Sequence, residues 1–582
     1  MNDLKHVLPP PLKFPLPFRT IPEALEAAPD SSPFVTMWRN EEEVQTVTFG
    51  EFRTMVSGQA AFLSEHGITS GDIVILIMPQ GIPLMAIFAA AMYLGAIPAI
   101  LAYPNFKVEP QKYRLGLSGV SANLKARLIV VDDAFSEDLM ANMDGSLSKL
   151  VRTRCDSPPP RTPISPAHLD PDQVAFIQHS AGTTGLQKGV ALSHAAVLHQ
   201  INHLAPTLQL TSRDRLYSWL PLYHDMGLVA CFMLPLVCHL PVIMQSPTDW
   251  VMQPGTMVQL ISEYRCSLAW IPNFTLQFLA RRVRAEDRSR CDLSSLRVLV
   301  NCSEPIRAAS MDEFIDAYQC CHLQPHVLQS CYAMAETVFA VTQSGLNERP
   351  DPVRIWVDAE AFRKEHVART LAPKTPGAVC FVSSGTCLPD THTYVVSATG
   401  ERLPSGHVGE IVIHSDAIFD GYYNRPDLTA KVLRDGMYWS GDLGFELEGQ
   451  LYVIGRRKDL IIVAGENIYP QDIEEIISRH SHIHDGRTVA FGVDNSELGT
   501  QDIVVVAEVN EERDLTLALQ IERELKQSVK AELAVAVRAI YLKPPRWIVK
   551  STAGKAARST TREKLLSEHP ELRADSPGRL DS

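Results

Sequence analysis

The segment HSAGTTGLQKGVALSH, residues 179–194, has the composition of a loop that wraps around a phosphate group. Its glycines let backbone N–H groups close around an anion, its hydroxyl groups can donate hydrogen bonds, and Lys188 adds a positive charge. The hydroxyl residues are Ser180, Thr183 and Thr184, and the glycines are Gly182 and Gly185. The apolar runs on either side predict a strand before the loop and another after it. The alternative is an ordinary surface turn.

Two common phosphate-binding motifs do not fit this segment. The P-loop requires a glycine, four residues and then Gly-Lys-Ser/Thr, but Gln187 replaces the second glycine and Gly189 follows the lysine. The dinucleotide motif G-x-G-x-x-G also fails, because no third glycine is in register with Gly182 and Gly185. The prediction of an anion site therefore depends on the glycines, hydroxyls and lysine alone.

The bulk composition indicates a globular protein of several domains. The chain has 582 residues, of which 45% are hydrophobic and 21% charged, and its net charge is −13. The negative charge argues against a protein that binds nucleic acid. Eleven cysteines occur without any C-x-x-C pair, which favours reduced cysteines in a cytoplasmic protein over a disulfide framework or a cysteine zinc site.

One apolar stretch, residues 83–104, is long enough to cross a membrane. Gly95, Pro98 and Pro104 divide it, so we predict a buried helix, a turn and a short strand instead. The proline-broken opening of the chain lacks the apolar region of a signal peptide. We therefore expect no integral membrane segment.

Apolar, β-branched runs alternate with helical patterns through most of the chain, which predicts α/β layers with mostly parallel strands. The runs are residues 72–78, 127–133, 174–178, 241–244, 267–271 and 296–301. We assign residues 1–457 to a large multi-lobed α/β domain, with a proline-rich linker at 156–173. Residues 458–582 are assigned to a small α+β domain, in which Pro470 begins a helix. Its last residues, 568–582, have the composition of a disordered tail.

Five further stretches combine polar and apolar residues at the predicted ends of strands. They are LPLYHDMGL (220–228), NCSEPIR (301–307), SCYAMAET (330–337), MYWSGDLG (437–444) and KSTAGKAAR (550–558). Each alone is a weak signal. In this order, together with the glycine loop, they resemble the adenylate-forming ligases, which include acyl-CoA synthetases, luciferases and the adenylation domains of peptide synthetases. One departure is Gln187, where that family usually has proline.

The resemblance implies an ATP site. The glycine loop (Ser180, Thr183, Thr184, Gly185, Lys188) would hold the β- and γ-phosphates. Tyr332, with Ala333 beside it, would stack on adenine, while Ser303, Glu304 and Pro305 would line the opposite side of the base. Asp442 would accept hydrogen bonds from the two ribose hydroxyls, and Arg456 would approach the ribose or a phosphate.

The resemblance also implies the catalytic groups. Glu336 would be the Mg²⁺ ligand, since Mg²⁺ combines few carboxylates with phosphate oxygens and water. His224 would flank the carboxylate of the acyl substrate. Lys555 would bridge the attacking carboxylate and the phosphate, where a cation offsets the repulsion of two anions. Lys458 matches the position of the hinge about which the small domain rotates between the two half-reactions.

Residues 351–390 resemble the insertion that distinguishes fatty acyl-AMP ligases from fatty acyl-CoA synthetases. The resemblance implies that a fatty acid is adenylated and then passed to the phosphopantetheine thiol of an acyl carrier protein or polyketide synthase. Only 27 residues follow Lys555 (582 − 555), so we expect the carrier to be a separate protein.

Three alternatives stay open from the sequence. The insertion could be a lengthened loop without effect on the acyl acceptor, because long surface insertions are often tolerated. The chain could be a fatty acyl-CoA synthetase. It could also be a non-catalytic adenylate-binding protein, although Lys555, Glu336 and Asp442 argue against that function.

Overall fold

The structure, a computed structural model, describes eleven stretches of the chain. They are residues 12–41, 43–104, 110–136, 149–153, 164–179, 188–345, 352–463, 466–495, 500–533, 535–550 and 556–572. Within them the predicted architecture is confirmed: two large, mostly parallel sheets layered with helices, a third antiparallel sheet, and a smaller α+β unit at the end.

The first sheet has nine strands, and its central strands pair in parallel. In spatial order they are Thr386–Cys387, Ala340–Gln343, Leu328–Ala333, Val298–Cys302, Leu268–Ile271, Leu216–Ser218, Val242–Met244, Pro33–Asn40 and Glu43–Thr48. The central strands are almost completely buried because helices cover both faces. The parallel strands end together at one edge, which places the segments that follow Ser218, Cys302 and Ala333 close to one another.

The second sheet has seven strands and is built around the predicted phosphate loop. In spatial order they are Gly421–Tyr422, Gly189–Ser193, Val174–His179, Ile97–Ile100, Ile73–Ile77, Leu128–Asp132 and Lys149–Thr153. Val174–His179 and Gly189–Ser193 are antiparallel neighbours, so the loop between them connects two adjacent strands, as predicted. The short strand Gly421–Tyr422 pairs with the strand that follows Lys188. It thereby brings Tyr422, which is distant in sequence, to this sheet.

The apolar stretch at 83–104 folds as its breakers predict. A buried helix, Ile82–Tyr93, ends before Gly95, which has a φ of +70°, and the strand Ile97–Ile100 follows. Gly95 is required there because a left-handed backbone disfavours other residues. Among the described residues, no helix is long and apolar enough to cross a membrane.

The third sheet is antiparallel and carries two residues of the predicted site, Asp442 and Arg456. Its strands are Thr391–Val396, Gly409–Ser415, Met437–Leu447, Leu433–Arg434 and Gln450–Arg456. The insertion packs against it as a three-stranded sheet with one helix. Its elements are Thr370–Leu371, Arg354–Asp358, Ala378–Val382 and the helix Ala359–Glu365.

After Arg456 the chain passes through the single turn Arg457–Asp459 into the last α+β unit. Its strands are Ile461–Val463, Glu466–Ile468, Ile483–Asn495, Thr500–Val509 and Val537–Lys543, and its helices are Pro470–Ser478, Ala518–Leu533 and Arg558–Glu568. Pro470 begins its helix as predicted. The prediction of disorder from residue 568 is wrong at its start, because Pro570–Leu572 forms a turn that buries Leu572 against the neighbouring sheet.

The remaining described helices cover the two large sheets. They are Ile21–Glu26, Phe49–Glu65, Pro110–Leu124, His194–Thr207, Met226–Met233 (a π-helix), Leu234–Val237, Pro247–Met252, Thr256–Glu263, Asn273–Arg282, Ala285–Arg288, Ala308–Tyr318 and Pro426–Val432, with short 3₁₀ turns at Gln319–Cys321, Pro325–Val327, Ala335–Thr337 and Glu512–Leu517.

Candidate active site

Asp442 is the centre of a buried polar group between the first and third sheets. Its Oδ2 accepts a 2.7 Å hydrogen bond from the Tyr332 hydroxyl, and its Oδ1 lies 3.0 Å from the Arg456 Nε. Asp442 and Tyr332 are buried, whereas Arg456 is exposed. The charge of Asp442 raises the pKa of Arg456, and burial raises the pKa of Tyr332 well above its usual range. The three predicted residues therefore meet in one place, with a fixed negative charge between them.

The backbone around Asp442 is fixed by its own strand and the neighbouring one. A register shift in the pairing with Gly409–Ser415 accompanies Gly441, whose φ is +71°. The Ser440 hydroxyl accepts from the Asp442 N–H at 3.0 Å and donates to the Ile411 carbonyl at 2.6 Å. The bulge re-aims the Asp442 side chain, which is a common use of bulges beside functional sites.

Glu336 lies near the end of the strand Leu328–Ala333, in the short 3₁₀ turn Ala335–Thr337. Its Oε1 accepts a 2.7 Å hydrogen bond from the hydroxyl of Tyr422. The ring of the same tyrosine lies beneath the Lys188 ammonium, whose Nζ is 4.4 Å from the ring centroid. Tyr422 therefore links the carboxylate predicted to bind metal with the lysine of the glycine loop.

The surroundings of Lys188 are strongly cationic. Burial lowers the pKa of Lys188, and the charges of Lys458, Arg456 and Arg425 lower it further, while Glu336 opposes them. Lys188 therefore lies near three further cations, of which Arg456 is paired with Asp442 and Arg425 with Asp427. Such an arrangement is unfavourable by itself and becomes favourable when a polyanion is bound.

His224 follows the strand Leu216–Ser218 at the edge where the parallel strands end. The His224 Nδ1 lies 2.5 Å from the Asp225 Oδ1. The π-helix Met226–Met233 begins immediately after Asp225. A side chain at Gly227 would place its Cβ 2.3 Å from the Pro221 carbonyl oxygen, so only glycine permits this turn.

The loop that carries Ser303, Glu304 and Pro305 lies beside the His224 segment. The Ser303 hydroxyl is 4.0 Å from the sulfur of Met226, and Ser303 itself has a φ of +69°. The Glu304 carboxylate accepts from the Phe274 N–H at 2.9 Å and so holds the start of the neighbouring helix. Ser303 is half-buried, and Pro305 is exposed.

Several predicted residues lie outside the described part of the chain: Ser180, Thr183, Thr184, Gly185 and Lys555. Their predicted roles stay predictions. The described chain stops at Lys550 and resumes at Ala556, and these two residues pair through an antiparallel bridge.

Tyr422 is a residue of this site that sequence reasoning missed. Its strand joins the second sheet only in the folded chain, about 230 residues after the glycine loop. The available signal was the segment FDGYYNRPDLT, a glycine and two tyrosines before a proline turn. Gly421 has a φ of +138°, and an added Cβ would lie 2.9 Å from Thr429, so this glycine is needed to place the tyrosine.

The insertion contacts the small α+β unit as well as the third sheet. Phe362 lies 4.8 Å from Phe381 and 6.1 Å from Tyr469 between ring centroids. Arg363 donates a hydrogen bond to the Leu533 carbonyl. Direct ion pairs also join the large and small units, with Arg307 3.1 Å from Glu475 and Arg281 2.6 Å from Asp485.

Comparison with known proteins identifies the family. Residues 22–423 match the family described as AMP-binding enzyme, which is more than half of the chain. The chain belongs to the AMP-binding enzyme family. The resemblance to adenylate-forming enzymes predicted from the motifs is therefore confirmed. Lys188, Tyr332, Glu336 and Tyr422 lie in the matched region, and Asp442 and Arg456 follow it.

Relatives of this AMP-binding enzyme extend over nearly its whole length. A medium-chain fatty acid–acyl-carrier-protein ligase, JamA of Moorena producens, is 28% identical over 90% of this chain and 91% of its own length. A putative fatty acid–CoA ligase, fadD25 of Mycobacterium tuberculosis, is 26% identical over 90% and 92%. A solved structure from a study of fatty acyl-adenylate ligases of E. coli and L. pneumophila superposes with a TM-score of 0.87, at 26% identity over 95% and 99%.

Proposed function

We propose that this AMP-binding enzyme activates a fatty acid with ATP and passes the acyl group to the phosphopantetheine thiol of a separate carrier protein. In the first step a carboxylate oxygen bonds to the α-phosphorus, the bond to the β-phosphate breaks, and pyrophosphate leaves. In the second step the thiolate attacks the acyl carbon and AMP leaves. The observation that carries the proposal is the contiguous arrangement of Tyr332, Asp442 and Arg456 beside Lys188 and Glu336.

The first three of these residues suit a nucleoside. A carboxylate has about four lone-pair positions, and Tyr332 and Arg456 use two at Asp442. Two positions remain for the two ribose hydroxyls. The ring of Tyr332 is held by its hydroxyl and by burial, so it offers a fixed face to the adenine, with Ala333 next to it and the Ser303–Pro305 loop on the other side of the base.

The cations around Lys188 suit the triphosphate. Lys188 and Arg456 would contact the β-, γ- and α-phosphates together with the loop residues Ser180, Thr183, Thr184 and Gly185. The lowered pKa of Lys188 reflects burial and neighbouring cations, and a bound triphosphate would reverse that effect by supplying negative charge. The site therefore gains electrostatic stabilisation when ATP binds.

Glu336 fits a Mg²⁺ ion as one half-buried carboxylate beside the phosphate site. A bound Mg²⁺ would neutralise the phosphate oxygens and favour departure of pyrophosphate. The Glu336 Oε1 accepts a hydrogen bond from the Tyr422 hydroxyl, which orients the carboxylate. The second carboxylate oxygen would then face the ion. This arrangement resembles the support that outer-shell groups give to metal ligands.

The change Tyr422→Phe tests this orientation. It removes the hydroxyl that donates to Glu336 and keeps the aromatic ring under Lys188. We expect the Mg²⁺ concentration for half-maximal pyrophosphate release to rise by about 10- to 100-fold, since hydrogen bonds to charged groups contribute roughly 1.5–3 kcal/mol. Tyr423→Phe, at the adjacent tyrosine, is the matched control and should leave the Mg²⁺ dependence unchanged. An unchanged dependence in Tyr422→Phe would remove the tyrosine from this role.

We propose His224 and Lys555 as the residues that act on the carboxylate of the fatty acid. His224 would flank the substrate carboxylate, held in orientation by Asp225. Lys555 would bridge the carboxylate and the α-phosphate in the first step only. We propose a domain boundary at 457/458 with Lys458 as the hinge, which accords with the exposed turn Arg457–Asp459 between two folded units.

The insertion favours a carrier protein over free CoA as acceptor. Its apolar residues Ile355, Trp356, Val357, Phe362 and Phe381 are buried or half-buried, as expected of a packed element and not of a free loop. Together with Arg363, Phe362 contacts the small domain, and these contacts resist the rotation that would admit CoA. The name of the relative JamA includes an acyl-carrier-protein acceptor.

A fatty acyl-CoA synthetase is the second candidate, because another relative is named a putative fatty acid–CoA ligase. The enzyme mixed with ATP, Mg²⁺, a panel of fatty acids and CoA should accumulate acyl-AMP and release pyrophosphate with little acyl-CoA. Addition of a phosphopantetheinylated carrier protein should consume the acyl-AMP. Rapid acyl-CoA formation would select the synthetase, and absence of pyrophosphate would select a non-catalytic adenylate-binding protein.

A shortened insertion tests the acceptor directly. Asp358 and Ala378 are cross-strand partners, so residues 359–377 can be replaced by Asn-Gly, which closes a two-residue hairpin. This change removes Phe362 and Arg363 together. We expect acyl-AMP formation to stay nearly intact, because no proposed ATP ligand lies in the segment, and acyl-CoA to appear when CoA is supplied.

Two point variants provide comparisons for the acyl-CoA formed by the shortened enzyme. Arg363→Ala removes one contact to the small domain and should release less acyl-CoA than the shortened form. Lys364→Ala removes only a surface ion pair with Glu360 and should behave as wild type. If the shortened enzyme makes acyl-AMP but no acyl-CoA at any CoA concentration, the insertion does not exclude CoA.

A further inference from the structure

A second group of ionisable side chains lies where the helix His194–Thr207 meets the third sheet, and it includes none of the residues assigned to ATP. His199 and His203 are one helical turn apart and both face Asp416. The His203 Nε2 is 2.9 Å from the Asp416 Oδ1, and the His199 Nδ1 is 3.3 Å from its Oδ2. Asp390 completes the group, with a carboxylate oxygen within 4.8 Å of the donor atoms of His203 and Asp416.

The register of the third sheet brings the two carboxylates together. Thr391 and Ser415 are cross-strand partners, and their hydroxyls are 3.0 Å apart in the buried interior. Asp390 precedes Thr391 and Asp416 follows Ser415, so both leave the end of the same strand pair. Asp390 has a φ of +53°, a left-handed conformation that aspartate adopts more readily than most residues.

The charges of this group are not balanced by a permanent cation. Among the described residues, the two histidines are the only basic partners of Asp416, and no lysine or arginine pairs with Asp390 or Asp416. Two carboxylates at such close range repel each other unless a cation lies between them. The imidazole groups supply metal-binding nitrogen atoms.

We propose that His203, Asp390 and Asp416 form a three-ligand zinc site, with water as the fourth ligand, that fastens the helix His194–Thr207 to the third sheet. His199 lies beside the site and pairs with the second carboxylate oxygen of Asp416. Imidazole nitrogen and carboxylate oxygen are usual Zn²⁺ ligands at about 2.0–2.2 Å, and ligand atoms of a tetrahedral ion then lie roughly 3.4 Å apart. The His203 Nε2 and Asp416 Oδ1 are 2.9 Å apart, and an Asp390 oxygen lies within 4.8 Å of both, so modest side-chain shifts would place the three atoms around one ion. Mg²⁺ prefers oxygen ligands alone and would bind weakly here.

This site is independent of the proposed adenylation. It joins the helix that follows the strand after the glycine loop to the sheet that carries Asp442. Zinc would therefore stabilise the relative position of these elements without contacting the nucleotide.

The test is titration of the metal-stripped full-length chain with Zn²⁺ against a chromophoric chelator, together with thermal unfolding. Wild type should bind one Zn²⁺ with a raised Tm, and Co²⁺ in its place should give the intense visible absorption of a tetrahedral site. Asp390→Asn should weaken Zn²⁺ binding by about 100-fold or more, since even outer-shell partners of metal sites contribute about 10- to 100-fold.

Asp390→Asn is the most informative variant. The Asp390 side chain makes no hydrogen bond or ion pair with the other described residues, so the metal-free Tm should stay unchanged. His203→Ala should lose binding as well. His392→Ala with His414→Ala is the matched control, since these two histidines stack on the same sheet at 6.3 Å without carboxylates between them, and it should bind zinc as wild type. Equal zinc binding by wild type and Asp390→Asn, or no stoichiometric binding by wild type, would overturn the proposal.

Discussion

Replacement of Lys555 by alanine is expected to slow acyl-adenylate formation by about 100- to 1,000-fold, the range for loss of one group that stabilises transition-state charge. The first half-reaction brings a carboxylate onto a phosphate, so two anions must approach each other. A lysine between them has its largest effect as negative charge moves from the carboxylate to the phosphate oxygens. The second half-reaction has no such encounter, because the thiolate attacks an uncharged acyl carbon.

The Lys555→Ala variant should therefore slow the first half-reaction and not the second. Pyrophosphate release measures the first, and transfer from chemically prepared acyl-AMP to a carrier protein measures the second. Transfer should stay within a few-fold of wild type. Lys550→Ala is the matched control, because it removes an exposed lysine from the same segment. If Lys555→Ala forms acyl-AMP at the normal rate, the assignment of the catalytic lysine is wrong.

The fold was predictable from the sequence wherever one local pattern decided it. The run at 127–133 became the buried strand Leu128–Asp132, and Gly95 separates helix from strand in an apolar stretch that could have been taken for a membrane helix. Pro98 does not divide the stretch, because it lies inside the strand Ile97–Ile100. Such elements are fixed by burial and by backbone conformation, both of which can be read from a few adjacent residues.

The candidate site was predictable only in part, because contacts between distant segments have no local signature. Motif resemblance indicated Tyr332, Asp442 and Arg456, and the structure places them in contact. The same resemblance did not indicate Tyr422, which reaches Glu336 and Lys188 through a short strand at the edge of another sheet. Nor did it indicate that the Glu304 side chain holds a helix start, which depends on where that helix begins.

The apolar residues of the insertion illustrate the intermediate case. Five large side chains in one segment predicted burial, because so much apolar surface is unfavourable in water. The sequence did not specify what would cover them. In the structure, Phe445 and Tyr452 of the third sheet and Tyr469 of the small domain pack beside them. Through these partners the segment contacts both the large and the small unit.

Asp442→Ala is expected to weaken ATP binding by about 100- to 10,000-fold. The variant loses two hydrogen bonds from ribose hydroxyls to a charged acceptor, each contributing roughly 1.5–3 kcal/mol, and each 1.4 kcal/mol is about tenfold in Kd. It also leaves the Tyr332 hydroxyl and Arg456 without their partner. Titration calorimetry with ATP in the absence of fatty acid measures the loss.

The ribose contacts can be separated from these indirect effects by a nucleotide that lacks one hydroxyl. Wild type should bind 2′-deoxy-ATP or 3′-deoxy-ATP more weakly than ATP, because Asp442 then loses one donor. In Asp442→Ala the preference for ATP should largely disappear. Tyr332→Phe is the matched control: it also removes a partner of Asp442 but keeps the carboxylate, so the preference for ATP should persist. If Asp442→Ala still discriminates ATP from both deoxynucleotides as strongly as wild type, the carboxylate does not contact the ribose, and its contact with Arg456 would be purely structural.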